Sequence, residues 1–198
     1  MENKNVIIII VAMVLILVVA AVVVGGFALG LFNSTAQFDE SLKSAYASQG
    51  NLSDEVFDFD VDYESNSSVN KAVKTTESWQ KDNDKTKGYL NTALEQTNND
   101  TEKQYVNLLL EQNKIFDRIL KIMTKMLKIY KDYNSGKIDA TNAYTDVSEQ
   151  TNKLTSISED MEKNQEEIRD LLSDNPDLEN RLKTLGIKDS FIGDSETS

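Results

Sequence analysis

The chain has 198 residues, of which 39% are apolar and 27% charged, and it carries a net charge of −12 with neither Cys nor His. Without these two residue types, disulfides, thiol nucleophiles, imidazole bases and the usual zinc, haem and iron–sulfur ligand sets are excluded. The negative charge would repel a phosphate backbone, so we expect no nucleic-acid partner.

Residues 6–32 form an uncharged segment rich in Ile, Val and Leu, preceded by a short tail of residues 1–5. As a helix, 27 residues reach about 40 Å, which exceeds the roughly 30 Å hydrocarbon core of a bilayer. We therefore predict a single transmembrane anchor. A cleaved signal peptide is the main alternative, because small residues follow at positions 34–36, but its apolar region normally has only about 7–15 residues.

The residues around this segment bear on its orientation and assembly. Lys4 precedes it and Lys43 alone follows closely, which favours a cytoplasmic N-terminus and an extracytoplasmic C-terminal domain on the cell membrane. Gly26 and Gly30 have the spacing that lets two spans approach and form a homo-oligomer, although isolated membrane-helix glycines are the alternative. Acceptor patterns for N-glycosylation occur at Asn33, Asn51, Asn66 and Asn99. They are about as frequent as chance predicts.

Residues 33–66 are predicted to form a stalk helix and an acidic extended segment. The helix covers 34–48, with Phe38, Leu42, Ala45 and Tyr46 on one side and Gly50 as its stop. Apolar residues then alternate with acids, which predicts a strand. The alternating residues are Phe57, Phe59, Val61 and Tyr63 against Asp58, Asp60, Asp62 and Glu64. We expect this strand to drape over the bundle with its acids near Lys or Arg side chains.

The spacing of Asp58, Asp60 and Asp62 is that of the first ligands of an EF-hand calcium loop. Tyr63 stands where such a loop needs Gly, and Val69 stands where it needs Glu, which excludes an EF-hand. A looser cation site remains the alternative to a solvated acidic edge. We predict no metal site.

Residues 67–187 are predicted to form an elongated antiparallel bundle of three or four helices with coiled-coil-like seven-residue spacing. Its long helices are expected over 68–97, over 101–133 after a cap at Asn99, and to about residue 172 after a cap at Asp139. The positions of the two turns predict the register. Facing residues on the first and second long helices should have numbers that sum to about 199, and those on the second and third should sum to about 273. Asn83 is then expected beside Phe116, in a weakly packed layer. A short helix follows Pro176, and residues 188–198 are expected to be a disordered tail.

A basic stripe lies opposite the apolar arc of the second long helix, on a chain that is acidic elsewhere. Its members are Lys114, Arg118, Lys121, Lys125 and Lys128. It could lie on anionic lipid headgroups, or it could be a solvated face neutralised by the chain's own carboxylates. We favour the second reading, because residues 33–70 and 134–198 carry about −7 and −8.

No recognisable catalytic or phosphate-binding motif occurs in the sequence. We therefore expect no enzyme activity, no catalytic, cofactor-binding or metal-binding residues, and no cofactor. The predicted class is all-α: a single-pass, signal-anchored membrane protein with a structural or protein-interaction role. The alternative is a ligand-sensing or solute-binding ectodomain that acts through a partner membrane protein, since five residues before the span would be too few for an output domain.

Overall fold

The computed structural model describes residues 36–187, except for the side chain of residue 57. The predicted anchor at 6–32, the Gly26 and Gly30 pair and the predicted tail at 188–198 lie outside these residues. Within the described range, no helix is long enough and apolar enough to cross a bilayer.

Residues 36–187 fold into five α-helices that pack against one another, which confirms the all-α class. They are α1 (Ala36–Phe57), α2 (Asn66–Gln96), α3 (Asp100–Asn134), α4 (Ala140–Asp174) and α5 (Pro176–Thr184). The first four are long, and each packs on the next, while α5 packs on α4. We call the end of the bundle where α1 begins the proximal end, and the end where α1 finishes the distal end.

Local sequence sets the ends of α2, α3 and α4 within two residues of the prediction. The side chain of Asn99 accepts a hydrogen bond from the Glu102 amide at 3.0 Å, and that of Asp139 accepts one from the Asn142 amide at 2.8 Å. Gly136, after α3, has a φ of 73°, which a residue with a Cβ rarely adopts. The predicted caps and turns are therefore confirmed.

α1 continues through Gly50, so the predicted stop there is wrong. Leu52 and Val56 extend the apolar side begun by Phe38 and Leu42, and all four side chains are buried in the bundle. A Gly inside a helix costs only about 1 kcal/mol relative to Ala, and burying two large aliphatic side chains outweighs that cost. α1 is thus a fourth bundle helix, packed against α2.

The connection between α1 and α2, residues 58–65, contains no strand, so the prediction of strand structure is wrong. We call it the strap. Phe59 meets the Trp79 ring edge-on at 4.7 Å between centroids, Val61 is buried, and the acids point outward, as draping requires. Draping on a curved helical surface, rather than sheet pairing, explains the two-residue alternation. None of the ion pairs formed by residues 36–187 includes Asp58 or Asp60, or the third acid, Asp62.

The antiparallel register agrees with the prediction. Thr124 donates its hydroxyl proton to Thr76 at 2.9 Å, and these numbers sum to 200. Between α3 and α4, Asn164 donates to the carbonyl of Leu108 at 3.0 Å, with a sum of 272. The expected sums of about 199 and 273 are therefore confirmed.

Two apolar clusters fill the bundle, one toward each end. The distal cluster includes Leu52, Val56, Val61, Val69, Trp79, Phe116, Ile119, Met126, Val147, Leu154 and Met161. The proximal cluster includes Phe38, Leu42, Tyr46, Leu90, Tyr105, Leu109, Ile168, Leu182 and Ile187. All four long helices contribute to both clusters, and the wide apolar arc of α3 packs against both α2 and α4. The region between the clusters is polar.

Candidate functional site

A pair of buried amides joins α2 to α3 between the two clusters. Asn83 and Asn113 are only 1% and 5% exposed. Asn83 Nδ2 donates to the Asn113 carbonyl at 3.1 Å, and Asn113 Nδ2 donates to Asn83 Oδ1 at 2.7 Å and to its carbonyl at 3.1 Å. The sequence predicted a weak layer beside Phe116, but the structure pairs Asn83 with Asn113, one turn earlier.

Further hydrogen bonds extend this polar layer to the other two long helices. Thr86 donates to Ser48 Oγ at 2.8 Å, which links α2 to α1. Asn164, on α4, donates to the α3 carbonyl described above and is 3% exposed. Because a buried polar group without a partner is costly, such a layer favours the single register in which its members meet.

A small cavity of about 30 Å³ adjoins the polar layer, with walls from all four long helices. That volume has room for about two water molecules. Its apolar wall consists of Ala45, Leu90, Leu109, Phe116 and Met161. Its polar wall consists of Tyr46, Gln49, Thr86, Gln112 and Asn113. Because it combines buried amides with apolar walls from all four long helices, we take it as the candidate functional site.

The cavity wall holds amides with free hydrogen-bonding capacity. Asn113 uses its Nδ2 group on Asn83, while its Oδ1 bonds to no residue of the described chain. The partly buried Gln49 and Gln112 side chains likewise bond to no described residue. Tyr46 differs, since its hydroxyl is paired with that of Tyr105. An amide supplies both donors and acceptors, so the wall is suited to an uncharged polar group.

The cavity is poorly equipped for catalysis. Tyr46 is the only titratable residue on its wall, and neither a carboxylate nor an amine lines it. General acid–base or nucleophilic chemistry needs such groups at hydrogen-bonding distance from one another. What the wall can do is bind and orient a small neutral molecule.

Elsewhere in residues 36–187, no three carboxylates come close enough together to hold a metal ion. The looser cation site considered for the strap would need Asp58, Asp60 and Asp62 to converge. Instead all three are exposed on its outer side, and Asp62 Oδ1 accepts a hydrogen bond from the Glu64 amide at 3.0 Å. The acids therefore form a solvated edge.

At the proximal end, Arg181 of α5 joins three other helix ends. Its Nη2 lies 2.7 Å from Asp39 Oδ1 on α1, and its Nη1 hydrogen-bonds to Glu102 on α3. Glu102 also accepts from Thr97, the C-cap of α2, and the guanidinium lies 5.0 Å from the centre of the Phe38 ring. We call these groups the proximal clasp. Charge-assisted hydrogen bonds of this kind, only partly exposed to solvent, hold the four helix ends together.

The distal end is closed by aromatic contacts. The Tyr63 ring of the strap lies 5.0 Å from that of Tyr130, and both hydroxyls are buried without a hydrogen-bond partner in the described chain. Burial raises the pKa of Tyr63 to about 12, with a smaller contribution from Asp60. Burial also raises the pKa of Tyr130, with Tyr63 next in importance. Asn134 secures the strap by donating to the Tyr63 carbonyl at 2.7 Å.

The basic stripe of α3 is largely neutralised within the molecule, in agreement with the favoured reading. Its ion pairs are Lys114–Glu111 at 3.1 Å, Arg118–Asp160 at 2.7 Å, Lys121–Asp117 at 2.6 Å and Lys128–Glu77 at 2.8 Å. The hydrogen bond from Lys128 lowers the pKa of Glu77. All these groups are solvated, so each pair contributes little to stability.

The sequence reasoning named no site residue, and it missed both Asn113 and Arg181. A signal for Asn113 was available, because it interrupts a column of apolar residues at seven-residue spacing, between Val106 and Leu120. Arg181 had no such signal, since its partners lie 79 and 142 positions away.

Comparison with known proteins supplies no further assignment. No family model matches the chain, and no curated protein and no solved structure is significantly similar to it. A four-helix bundle by itself carries no function, so the argument for function rests on this chain's own geometry.

Proposed function

We propose that the protein is a membrane-anchored helical bundle with a structural or protein-interaction role, in which residues 6–32 are the span. The observation that carries this proposal is the position of the clasp. Three residues separate that uncharged segment from Ala36, the first described residue of α1, and Asp39 ties this part of the helix to Arg181 of α5. A clasp at this point would transmit the position of the anchor directly to the bundle.

The short connection limits how far the bundle can move from the membrane. Three residues span at most about 11 Å even when fully extended. The proximal end would therefore stay near the headgroups. α3 has 35 residues and so spans about 52 Å, which would hold the distal end far from the bilayer.

A protein partner is the expected ligand of such a spacer. Tyr89 and Tyr144 are the exposed large apolar side chains of the described residues, at 42% and 45%. They are single residues rather than a patch, so a partner or a second copy would meet a mainly polar, acidic surface of the bundle. Pairing through Gly26 and Gly30 in the membrane is the other route to a homo-oligomer.

The alternative is a ligand-sensing or solute-binding ectodomain that acts through a partner membrane protein. The cavity at the polar layer favours this alternative. Its small volume restricts the ligand to a molecule of a few atoms.

The absence of Cys allows a direct test, because any introduced Cys is unique. Asp100→Cys marks the proximal end and Ser135→Cys the distal end, and both positions are exposed. The full-length variants carry nitroxide labels in lipid nanodiscs, and relaxation by a lipid-bound paramagnet reports the distance to the headgroups. We expect strong relaxation for the label at position 100 and little for the label at position 135. Equal relaxation, or failure of the full chain to enter nanodiscs, would contradict the proposal.

The orientation has its own test in intact cells. A membrane-impermeant maleimide should label Ser135→Cys from outside, which would place the C-terminal domain outside the cytoplasmic membrane. Labelling only after lysis would reverse the topology.

A further inference from the structure

We propose that the cavity at the polar layer is a binding site for a small, uncharged molecule that carries an amide or hydroxyl group. This inference deepens the alternative function, and it does not depend on the membrane anchor. The site lies where Asn113 and Gln112 of α3 face Gln49 of α1.

The requirement that the ligand carry a polar group follows from Asn113. Its side chain is 5% exposed, its amide nitrogen is committed to Asn83, and its Oδ1 is left without a partner in the described chain. This oxygen is open to the cavity, so a ligand that displaces water from it gains affinity only if it supplies a replacement hydrogen-bond donor. The ligand must therefore offer an N–H or O–H group to Asn113 Oδ1.

The partly buried amides of Gln49 and Gln112 supply the complementary groups. Either side chain can rotate to donate or to accept, so together they can hold the second polar atom of an amide or a hydroxyl. Leu90, Phe116 and Met161 form the opposite wall and would contact a methyl or methylene group. A ligand with one polar end and one short apolar end fits this arrangement.

Size and charge limit the ligand further. The enclosed volume of about 30 Å³ admits about two non-hydrogen atoms, and the cavity opens to solvent, so the rest of a ligand of about four non-hydrogen atoms can lie at its mouth. No charged residue lines the cavity, so a charged ligand would lose its hydration without gaining a counter-charge. For a molecule of four non-hydrogen atoms, the dissociation constant should be no tighter than roughly 40 μM.

Acetamide is a suitable probe, and acetate is its charged isostere. The full-length protein, labelled with ¹³C at the methionine methyls, provides the readout, in nanodiscs or, if it does not enter them, in aqueous buffer. Met161 lines the cavity, whereas Met123 and Met126 are buried in the distal cluster away from it and serve as internal controls. We expect acetamide to shift the Met161 methyl resonance with saturation, and acetate to bind at least about tenfold more weakly.

Two variants locate the site. Ala45→Leu fills the cavity and should abolish the Met161 shift, while Ala47→Leu, on the same helix outside the cavity, should preserve it. Gln112→Leu removes one amide at a partly solvated position and should weaken acetamide binding about fivefold. This variant decides the question if Ala45→Leu fails to fold, as judged by circular dichroism.

Three results would overturn the proposal: an unmoved Met161 resonance, an equal response to acetate, or a response that survives both Ala45→Leu and Gln112→Leu. Because residues 6–32 take no part in this test, its failure leaves the membrane proposal intact. Conversely, failure of the nanodisc depth measurement would not alter the response of Met161.

Discussion

The two ends of the bundle are closed by different physical means. At the proximal end, Arg181 holds Asp39 and Glu102 through charge-assisted hydrogen bonds, and α5 adds its own apolar side to the proximal cluster. At the distal end, the strap relies on ring contacts and leaves the hydroxyls of Tyr63 and Tyr130 buried without partners. Directional pairing with few unsatisfied groups should make the proximal end harder to open. The difference predicts that the bundle opens more readily at its distal end than at its proximal end.

The largest effect should come from the apolar core of the distal cluster. Ile119 of α3 is buried in the distal cluster, and its truncation in Ile119→Ala should lower the free energy of unfolding by about 2–5 kcal/mol. Lys121→Ala, on the solvated stripe two residues away, should change it by no more than about 0.5 kcal/mol. Urea denaturation of both variants checks the contrast. Equal, small effects would mean that α3 is not a core helix, and would favour the lipid-surface reading of the stripe.

In the polar layer between the ends, the effects of substituting Asn83 and Asn113 on stability should be strongly coupled. Asn113→Leu leaves Asn83 Oδ1 buried without its donor, while Asn83 Nδ2 keeps its bond to the backbone carbonyl of residue 113, and we expect a cost of about 1–3 kcal/mol. Adding Asn83→Leu removes the second polar group, and the double variant should recover most of that loss. A double-mutant cycle in urea measures the coupling. Additive losses would show that the two side chains do not pair.

Breaking the clasp should have a somewhat smaller effect. Arg181→Met keeps the aliphatic stem near Phe38 but removes the guanidinium that lies between Asp39 and Glu102. Because the three side chains are 25%, 14% and 12% exposed, we expect a loss of about 1–2 kcal/mol rather than the larger loss typical of full burial. Thermal unfolding checks the value, with Lys183→Met on the same helix as the exposed control. A matching, negligible change in both variants would argue against a clasp.

At neutral pH the smallest effect should appear at the distal end, where a difference develops only at high pH. The pKa of Tyr63 is raised from 10.0 to about 12 in the folded protein, so its contribution to stability is full below pH 10 and is lost as the pH rises toward 12. Tyr63→Phe should therefore make stability less dependent on pH across this interval. Denaturant midpoints measured from pH 9 to pH 11.5 check this. Parallel pH profiles for the two proteins would show that the Tyr63 hydroxyl is not buried.

Periodicity in the sequence was enough to predict the long helices and their register. The seven-residue columns of α3 and the caps at Asn99 and Asp139 depend only on neighbouring residues, so they could be read directly. The two-residue alternation of the strap was misread, because alternate burial arises both from a sheet face and from a segment draped over helices. Gly50 was misread as a stop, because helix propensity is weak compared with the burial of Leu52 and Val56.

The candidate site was less predictable than the fold. A polar residue within an apolar column marks Asn113, but a cavity depends on how side chains from four helices fail to fill one layer. The clasp depends on residues brought together only by the complete fold, as Arg181 and Asp39 are. No local pattern encodes such contacts.

The contrast between the two ends is tested most directly by native-state hydrogen exchange on the full chain in nanodiscs. We expect strap amides to exchange through a local opening of low free energy, while the α1 amides after Asp39 exchange only when the bundle unfolds. Phe59→Ser, which removes the contact with Trp79, should speed exchange in the strap and leave the proximal part of α1 unchanged. Equal protection of both ends, or faster exchange at the start of α1 than in the strap, would contradict this account.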